Sequence, residues 1–303
     1  MGEADAAQRP WDAGGRQTTL PGEPRLAYQP VVDLMTGCLL GFEALLRWDH
    51  PTEGLILPKL LLPWAEANGD IVALGEWVLA EGCRQATEWP SSVQVAVNCS
   101  IVQLRRRVAV PAVQRAIAES GLVPDRLTVE VTEHAMADDD AVAELHAIAD
   151  LGIQLSVDDV GTSWSSFDVL RQLAVNTVKI DDSFVAGLEP REGINRMIVE
   201  TVVHLAHSAG MSTIAEGVET ALQAAIVRQF DSDAAQGYFF SPPLDAQSAT
   251  DMANRADLRF TLVEPEPPRG RHAAGKREGE GPPPAADGAA RTAPRLQEAG
   301  PGT

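Results

Sequence analysis

Leu127-Thr128-Val129-Glu130-Val131-Thr132-Glu133 is followed by an amphipathic stretch over 139–151, then Gly152, then a run over 154–157 that ends in Asp158-Asp159. A β-branched run ends in acids, a helix-period segment returns the chain, a glycine closes that helix, and a second β-branched run again ends in acids. This is a strand–helix–strand unit. Working outward, the same alternation fills the middle of the chain. Strands are expected over 26–32, 39–46, 93–97, 127–131, 154–157, 177–180, 211–215 and 235–240. Helices are expected over 58–67, 71–88, 110–120, 139–151, 166–173, 191–209, 220–229 and 246–255. Gly121, Gly152 and Gly210 stand just past helices, where a left-handed cap is wanted. Strand and helix repeating about every 30 residues gives a parallel sheet. Eight such strands favour an α/β fold of the (β/α)8 TIM-like barrel type over an open sheet. The first two strands are separated by little more than Thr36-Gly37, so the barrel should open with an antiparallel first strand.

Composition sets the frame. The chain has 303 residues, 45% of them hydrophobic, enough for a buried core. No run approaches the roughly 18 uninterrupted apolar residues of a membrane helix. The N-terminus shows no basic region followed by an apolar one, so no secretory leader is expected. Cys38, Cys83 and Cys99 are odd in number and too scattered for a CxxC-type zinc site, which fits a reducing cytoplasmic location. Residues 1–24 and 261–303 are rich in Gly, Ala and Pro without periodicity and are expected to be disordered, leaving a folded unit over 25–260. Net charge is −19, and because six Lys/Arg balance six acids from Glu264 onward, the acid excess lies in the folded part. Such a surface repels nucleic-acid backbone, so no nucleic-acid partner is expected. A phosphate ester could approach it only if bound cations shielded the charge.

Polar residues recur at or near the C-terminal ends of the expected strands: Glu43, Asn98, Glu130 with Glu133, Asp158 with Asp159, Lys179 with Asp181, Glu216 and Gln236. In a barrel that end is the active-site face. Each has an ordinary explanation alone. A lone Glu flanking a strand is usually solvated, Asp-Asp before Val-Gly-Thr is often a turn or helix cap, Lys179 can snorkel, Asn98 can cap a strand end, and Gln236 before Gly can be a turn residue. One such side chain from nearly every unit is poorly explained by chance. Crowded carboxylates repel unless cations neutralise them. Carboxylate and amide oxygens without Cys or His suit hard ions such as Mg²⁺ or Mn²⁺. Two such ions are a recurrent device for phosphodiester cleavage, a Lys can balance the developing charge, and a Glu can accept the proton of the nucleophile.

Glu43-Ala44-Leu45-Leu46-Arg47-Trp48 resembles the signature of the EAL-domain family, and Tyr28-Gln29-Pro30-Val31-Val32-Asp33 looks like its opening strand. Val97-Asn98-Cys99-Ser100, Val129-Glu130-Val131-Thr132-Glu133, Asp158-Asp159-Val160-Gly161-Thr162, Val178-Lys179-Ile180-Asp181, Ala215-Glu216-Gly217-Val218-Glu219-Thr220 and Ala235-Gln236-Gly237-Tyr238 match its later motifs in order, over about residues 25–250. The resemblance implies a cytoplasmic bacterial phosphodiesterase that opens cyclic di-GMP to linear pGpG. It implies that Glu43, Asn98, Glu130 and Asp158 hold one metal ion. Asp159 would help to hold a second, bridged by Asp158, with Asp181 in or near that site. Lys179 would hold the catalytic water, Glu216 would act as base or metal support, and Glu133 would steady the loop after Asp159. Gln29, Arg47 and Gln236 would face the substrate, a guanidinium being able to clasp a phosphate through two donors. Glu219 would support the site from behind.

Two departures stand out. The loop that usually reads DFGTGYSSL reads Asp159-Val160-Gly161-Thr162-Ser163-Trp164-Ser165-Ser166-Phe167 here, and Ser241-Pro242-Pro243-Leu244 replaces the usual Ser-Arg-Pro-Leu. The family uses that loop for metal binding and dimer contacts, so the resemblance allows a homodimer through the 159–167 region whose strength the changes put in question. The alternatives to an active phosphodiesterase are a weak or inactive domain that senses cyclic di-GMP or binds a protein, and a different metal-dependent barrel hydrolase. Metal-dependent turnover separates the first, and trials of other phosphodiesters separate the second.

Overall fold

A computed structural model of the protein describes residues 20–160, 175–188, 193–255 and 258–261. All of these fall in the first of the two units into which the chain divides, residues 1–265. The expected helix over 166–173, most of the altered loop and nearly all of both expected disordered ends lie outside the described residues.

The strands are β1 (Glu23–Asp33), β2 (Leu39–His50), β3 (Gly54–Ile56), β4 (Gln94–Asn98), β5 (Leu127–Thr132), β6 (Gln154–Val160), β7 (Thr177–Ile180), β8 (Ser212–Ala215) and β9 (Ala234–Gln236). Their order is β1-β9-β8-β7-β6-β5-β4-β2-β3, and pairing of β1 with β2 closes eight of them into a barrel. The pairs from β2 through β9 are parallel, whereas β1 runs antiparallel to both its neighbours. β3 is a short antiparallel addition to the end of β2, and the sequence pattern missed it. Three residues with one partly buried side chain carry too little alternation to stand out.

Alternation decides what each strand does. In β2, Phe42, Ala44, Leu46 and Trp48 are buried on the outer face of the barrel wall, and Glu43, Leu45 and Arg47 point the other way. The outer faces pack under helices that include α1 (Pro58–Asn68), α2 (Ile71–Ala86), α3 (Ile101–Arg105), α4 (Ala109–Ser120) and α5 (Asp139–Ala149). Trp89 joins this layer edge-on to Tyr28 at 5.4 Å and tilted on Phe42 at 4.8 Å. Helix starts follow from local chemistry: Pro58 takes the first turn of α1, and Ser100 with Gln103 forms a capping box at α3. Gly121, Gly152 and Gly210 all have positive φ, as their positions after helices require. No helix among the described residues is long and apolar enough to cross a membrane.

One strand is shorter than its sequence suggests. The apolar run over 235–240 reads as a strand, but β9 stops at Gln236. Gly237 turns the chain with φ 153°, and a Cβ there would lie 2.2 Å from the Val218 carbonyl oxygen. The loop after β8 crosses at this point: Val218 N donates to Gln236 O (3.1 Å) and Phe239 N donates to Val218 O (2.9 Å). That crossing fixes the rim of the barrel above Glu216 and Gln236.

Candidate active site

The C-terminal ends of the strands bring seven of the expected residues into one group, with Glu43, Glu130, Lys179 and Gln236 buried, Asp158 and Glu216 partly buried and Asn98 exposed at its edge. Lys179 on β7 is fully buried, and its Nζ lies 2.6 Å from Glu216 Oε1, 2.8 Å from Glu130 Oε2, 3.1 Å from Glu43 Oε2 and 3.6 Å from Asp158 Oδ2. Asn98 Nδ2 donates to Glu43 Oε1 (2.7 Å), which presents the amide oxygen as the remaining acceptor of Asn98. Gln236 Nε2 donates to both Glu43 Oε2 and Glu216 Oε1, each at 2.7 Å. Gln236 is therefore bonded into the carboxylate group, beneath the opening, and its Oε1 is buried without a hydrogen-bond partner.

Four carboxylates around one ammonium leave an excess of negative charge out of water. The proton affinities of the group follow from that excess. Burial, with Glu43 and Asp158 adding repulsion against the pull of Lys179, pushes the Glu130 carboxyl up to about 8. Glu216 is raised well above its ordinary range, by burial first and then by Asp158 and Glu43, with Lys179 opposing. For Glu43 burial is outweighed by Lys179 and by hydrogen bonds from Gln236, Asn98 and Lys179, so its proton affinity is lowered. Lys179 is desolvated too, yet Glu130, Glu216, Glu43 and Asp158 hold it firmly protonated.

Asp158 and Asp159 adjoin in sequence, and on a regular strand they would face opposite sides. They sit where the register between β6 and β7 shifts, between Val157 and Val160. Asp159 there adopts φ 59°, and Asp158 Oδ1 accepts from the Asp159 backbone N at 2.9 Å. Such a bulge re-aims a side chain. As a result Asp158, Asp159 and Glu216 offer oxygens within 4.8 Å of one another, and so do Glu43, Glu130 and Asp158. The two sets share Asp158. Asp159 has its carboxyl raised to about 6 by burial first, then by Asp158 and Asp181, the last also hydrogen-bonded to it.

The other expected residues stand around this group. Asp181 caps the short helix Asp182–Ala186, its Oδ1 accepting from the Ser183 backbone N (3.0 Å) and from the Ser183 hydroxyl. It neighbours Asp159 and is not among the convergent oxygens. Glu133 is buried in a 3-10 turn, Glu133–Ala137, and the loop that the resemblance has it steady lies outside the described residues. Gln29 pairs across from Glu43 in the β1–β2 register, which puts both on the inner face. Arg47 lies four residues further along β2, half-buried, with Nη1 donating to its neighbour's carbonyl, Leu46 O, at 2.8 Å.

Above the carboxylates opens a cleft of about 410 Å³ lined by Gln29, Glu43, Asp158, Glu216, Gln236 and Glu219. Tyr238 and Asp182 also line it, and the sequence reading gave neither a role. Tyr238 is 65% exposed at the rim. Its position two residues beyond Gln236, just past the glycine turn, was the available signal. Pro242, where an arginine is usual, is exposed on a segment whose Leu244 pairs with Tyr28 at the edge of β1.

The protein-family model described as the EAL domain matches residues 16–243. Cyclic di-GMP phosphodiesterase NbdA of Pseudomonas aeruginosa is 37% identical over 235 residues, which cover 76% of this chain and 30% of that protein. The bifunctional diguanylate cyclase/cyclic di-GMP phosphodiesterase MucR of the same organism is 38% identical over 228 residues, 73% of this chain and 33% of that one. The chain thus spans about a third of the length of these relatives. A solved structure of the MucR phosphodiesterase in complex with cyclic di-GMP superposes with a TM-score of 0.71 at 37% identity, covering 74% of this chain and 93% of that one. An eight-stranded barrel opened by an antiparallel strand, the acidic residues at its mouth and a match across most of the sequence lead to one conclusion: the chain belongs to the EAL domain family.

Proposed function

We propose that the chain is a divalent-metal-dependent phosphodiesterase that hydrolyses cyclic di-GMP to linear pGpG. The observation that carries this reading is the pair of oxygen-ligand sets that share Asp158 at the floor of the cleft. Both relatives named above, one a cyclic di-GMP phosphodiesterase and the other a bifunctional diguanylate cyclase/cyclic di-GMP phosphodiesterase, support the choice of substrate.

The donors fit hard divalent ions such as Mg²⁺ or Mn²⁺: they are all oxygens, they are crowded, and the single ammonium among them does not balance their charge. A carboxyl such as that of Glu130, held up to about 8 for want of a counter-charge, belongs where a cation is to bind. Glu43, Asn98, Glu130 and Asp158 would hold one ion, and Asp158 with Asp159 a second, with Asp181 beside it. When bound, two such ions supply Lewis acidity and lower the pKa of a water.

The rest is the work of this chain's residues. Lys179 orients the attacking water and balances charge developing on the phosphoryl oxygens. Glu216 accepts a proton from the water or supports the second ion, its proton affinity already raised by burial. Gln236 holds Glu43 and Glu216 in place through its amide nitrogen and borders the substrate from below. Gln29 and Arg47 face the substrate on the β1–β2 side, Glu133 steadies the loop after Asp159, and Glu219 supports the rim.

The test is direct: purified protein, cyclic di-GMP and Mg²⁺ or Mn²⁺, with products separated by chromatography. Linear pGpG that disappears with EDTA is the expected result. Intact nucleotide that stays tightly bound would replace the enzyme by a sensor.

A further inference from the structure

The residues two positions before the carboxylate group form the next layer down inside the barrel, because alternate residues of a strand share a face. Gly41, Ala96, Thr128, Ser156, Thr177 and Ala234 stand below Glu43, Asn98, Glu130, Asp158, Lys179 and Gln236 respectively. The bulky members of this layer are Ile214, below Glu216, and Val31 of β1, which pairs across from Gly41. The interior of such a barrel is ordinarily filled by layers of Val, Ile and Leu. Here small and hydroxylated residues leave a cavity of about 590 Å³ at the opposite end from the cleft. At least one wall position cannot be filled: a Cβ on Gly41 would lie 2.6 Å from the Gln94 carbonyl oxygen.

The cavity reaches the reacting group. Glu130 lines it, whereas Glu43, Asp158, Glu216 and Gln236 line the upper cleft. The carboxylates and Lys179 are thus the floor of one space and the roof of the other. Ser156 lines the lower space, is 0% exposed, and its Oγ has no hydrogen-bond partner. A buried hydroxyl without a protein partner is ordinarily satisfied by water, and the space that could supply one from the base is this polar cavity. Gln94 and Gln154 stand two residues nearer the base than Ala96 and Ser156, about 7 Å along the strand, and add amide donors and acceptors.

We infer that this cavity is a second, water-filled mouth of the barrel, through which solvent reaches the underside of the carboxylate group from the base while a nucleotide covers the upper cleft. Cover of the upper cleft by a nucleotide rests on the proposed function; the opening at the base does not. The occupant is water itself: the lining offers amides and hydroxyls to neutral hydrogen-bonding molecules, and its acids, Asp33, Glu130 and Asp233, disfavour anions.

Cysteine accessibility tests this. In a Cys38→Ser background, Ser156→Cys is exposed to methyl methanethiosulfonate and label is counted by intact mass over time, with Thr128→Cys as a second reporter. Cys83 and Cys99 are buried and serve as the unreactive baseline. The expected result is one added label, at a rate changed less than twofold by saturating cyclic di-GMP with Ca²⁺. Adding Gln154→Trp at the base should slow it at least tenfold. Failure of both reporters to label would overturn the inference, as would labelling that the nucleotide blocks and Gln154→Trp does not. Gln29→Cys in the upper cleft is the control: if the nucleotide fails to protect it, the proposed substrate is wrong, and the effect of Gln154→Trp still decides whether the base is open.

Discussion

Lys179 Nζ sits 2.8 Å from Glu130 Oε2, and both side chains are buried. The pair is held inside a larger excess of acid, so removing the cation should be severe. Lys179→Met leaves Glu43, Glu130, Asp158 and Glu216 around an apolar tip. Breaking a buried ion pair from one side typically costs about 3–5 kcal/mol. Denaturant unfolding of the metal-free protein should show a loss of that order at pH 8, and a smaller one at pH 6, where the carboxyls take up protons. An unchanged midpoint at pH 8 would mean that Lys179 is not the counter-charge.

The raised Glu130 predicts how the metal-free fold responds to pH. In an unfolded chain this carboxyl loses its proton near 4.5, and in the folded protein near 8. Between those values the folded state binds a proton that the unfolded state has lost, so stability falls as pH rises, by about 1 kcal/mol per pH unit for one such group. Asp159, raised to about 6 from 3.8, acts in the same direction at lower pH. With EDTA present, the unfolding midpoint should be lower at pH 7.5 than at pH 5.5. Saturating Mg²⁺ should flatten the slope, because bound ions replace the protons. A midpoint that rises with pH in EDTA would contradict the assignment.

Asp159 holds a left-handed backbone, φ 59°, that costs an ordinary residue about 1–2 kcal/mol and that Asn tolerates. Asp159→Ala should therefore be about 1 kcal/mol less stable than Asp159→Asn in metal-free unfolding. Both should weaken binding of the second ion. Equal stabilities would indicate that the bulge relaxes when the carboxylate is removed.

Glu216→Gln should lower turnover by roughly 10²–10⁴-fold while leaving nucleotide binding within a few-fold. The amide keeps the shape of the side chain beside Lys179 and Gln236. Loss of binding, measured by calorimetry with Ca²⁺, would make Glu216 a structural residue.

The sequence carried the barrel and its mouth because both depend on local pattern. Period-two runs and glycine stops mark strands and helices, and polar residues such as Glu43 and Lys179 recur at strand ends. Four features depended on what meets across the fold. The bulge that turns Asp159 inward arises from a register shift against β7, which no spacing within β6 reveals. The early end of β9 arises from the close crossing of Val218 over Gly237. Gln236, read as a substrate-side group, is bonded to Glu43, which lies far away along the chain and becomes its neighbour only when β1 closes the barrel. Tyr238 lay within a recognised motif, yet only the geometry of the rim puts it at the cleft.

The proposed hydrolysis depends on metal bound by the buried carboxylate group. The most direct measurement is the rate of pGpG formation against Mn²⁺ concentration, for the unaltered protein and for Glu43→Ala side by side. Glu43 accepts from Asn98 and Gln236 and pairs with Lys179, so its loss dismantles the first ligand set. Turnover of the unaltered chain should saturate with Mn²⁺ and vanish in EDTA, whereas Glu43→Ala should be slower by at least about 10²-fold, comparable to loss of a major electrostatic contributor. Turnover that ignores EDTA, or a Glu43→Ala protein as active as its parent, would contradict metal-dependent hydrolysis by this group.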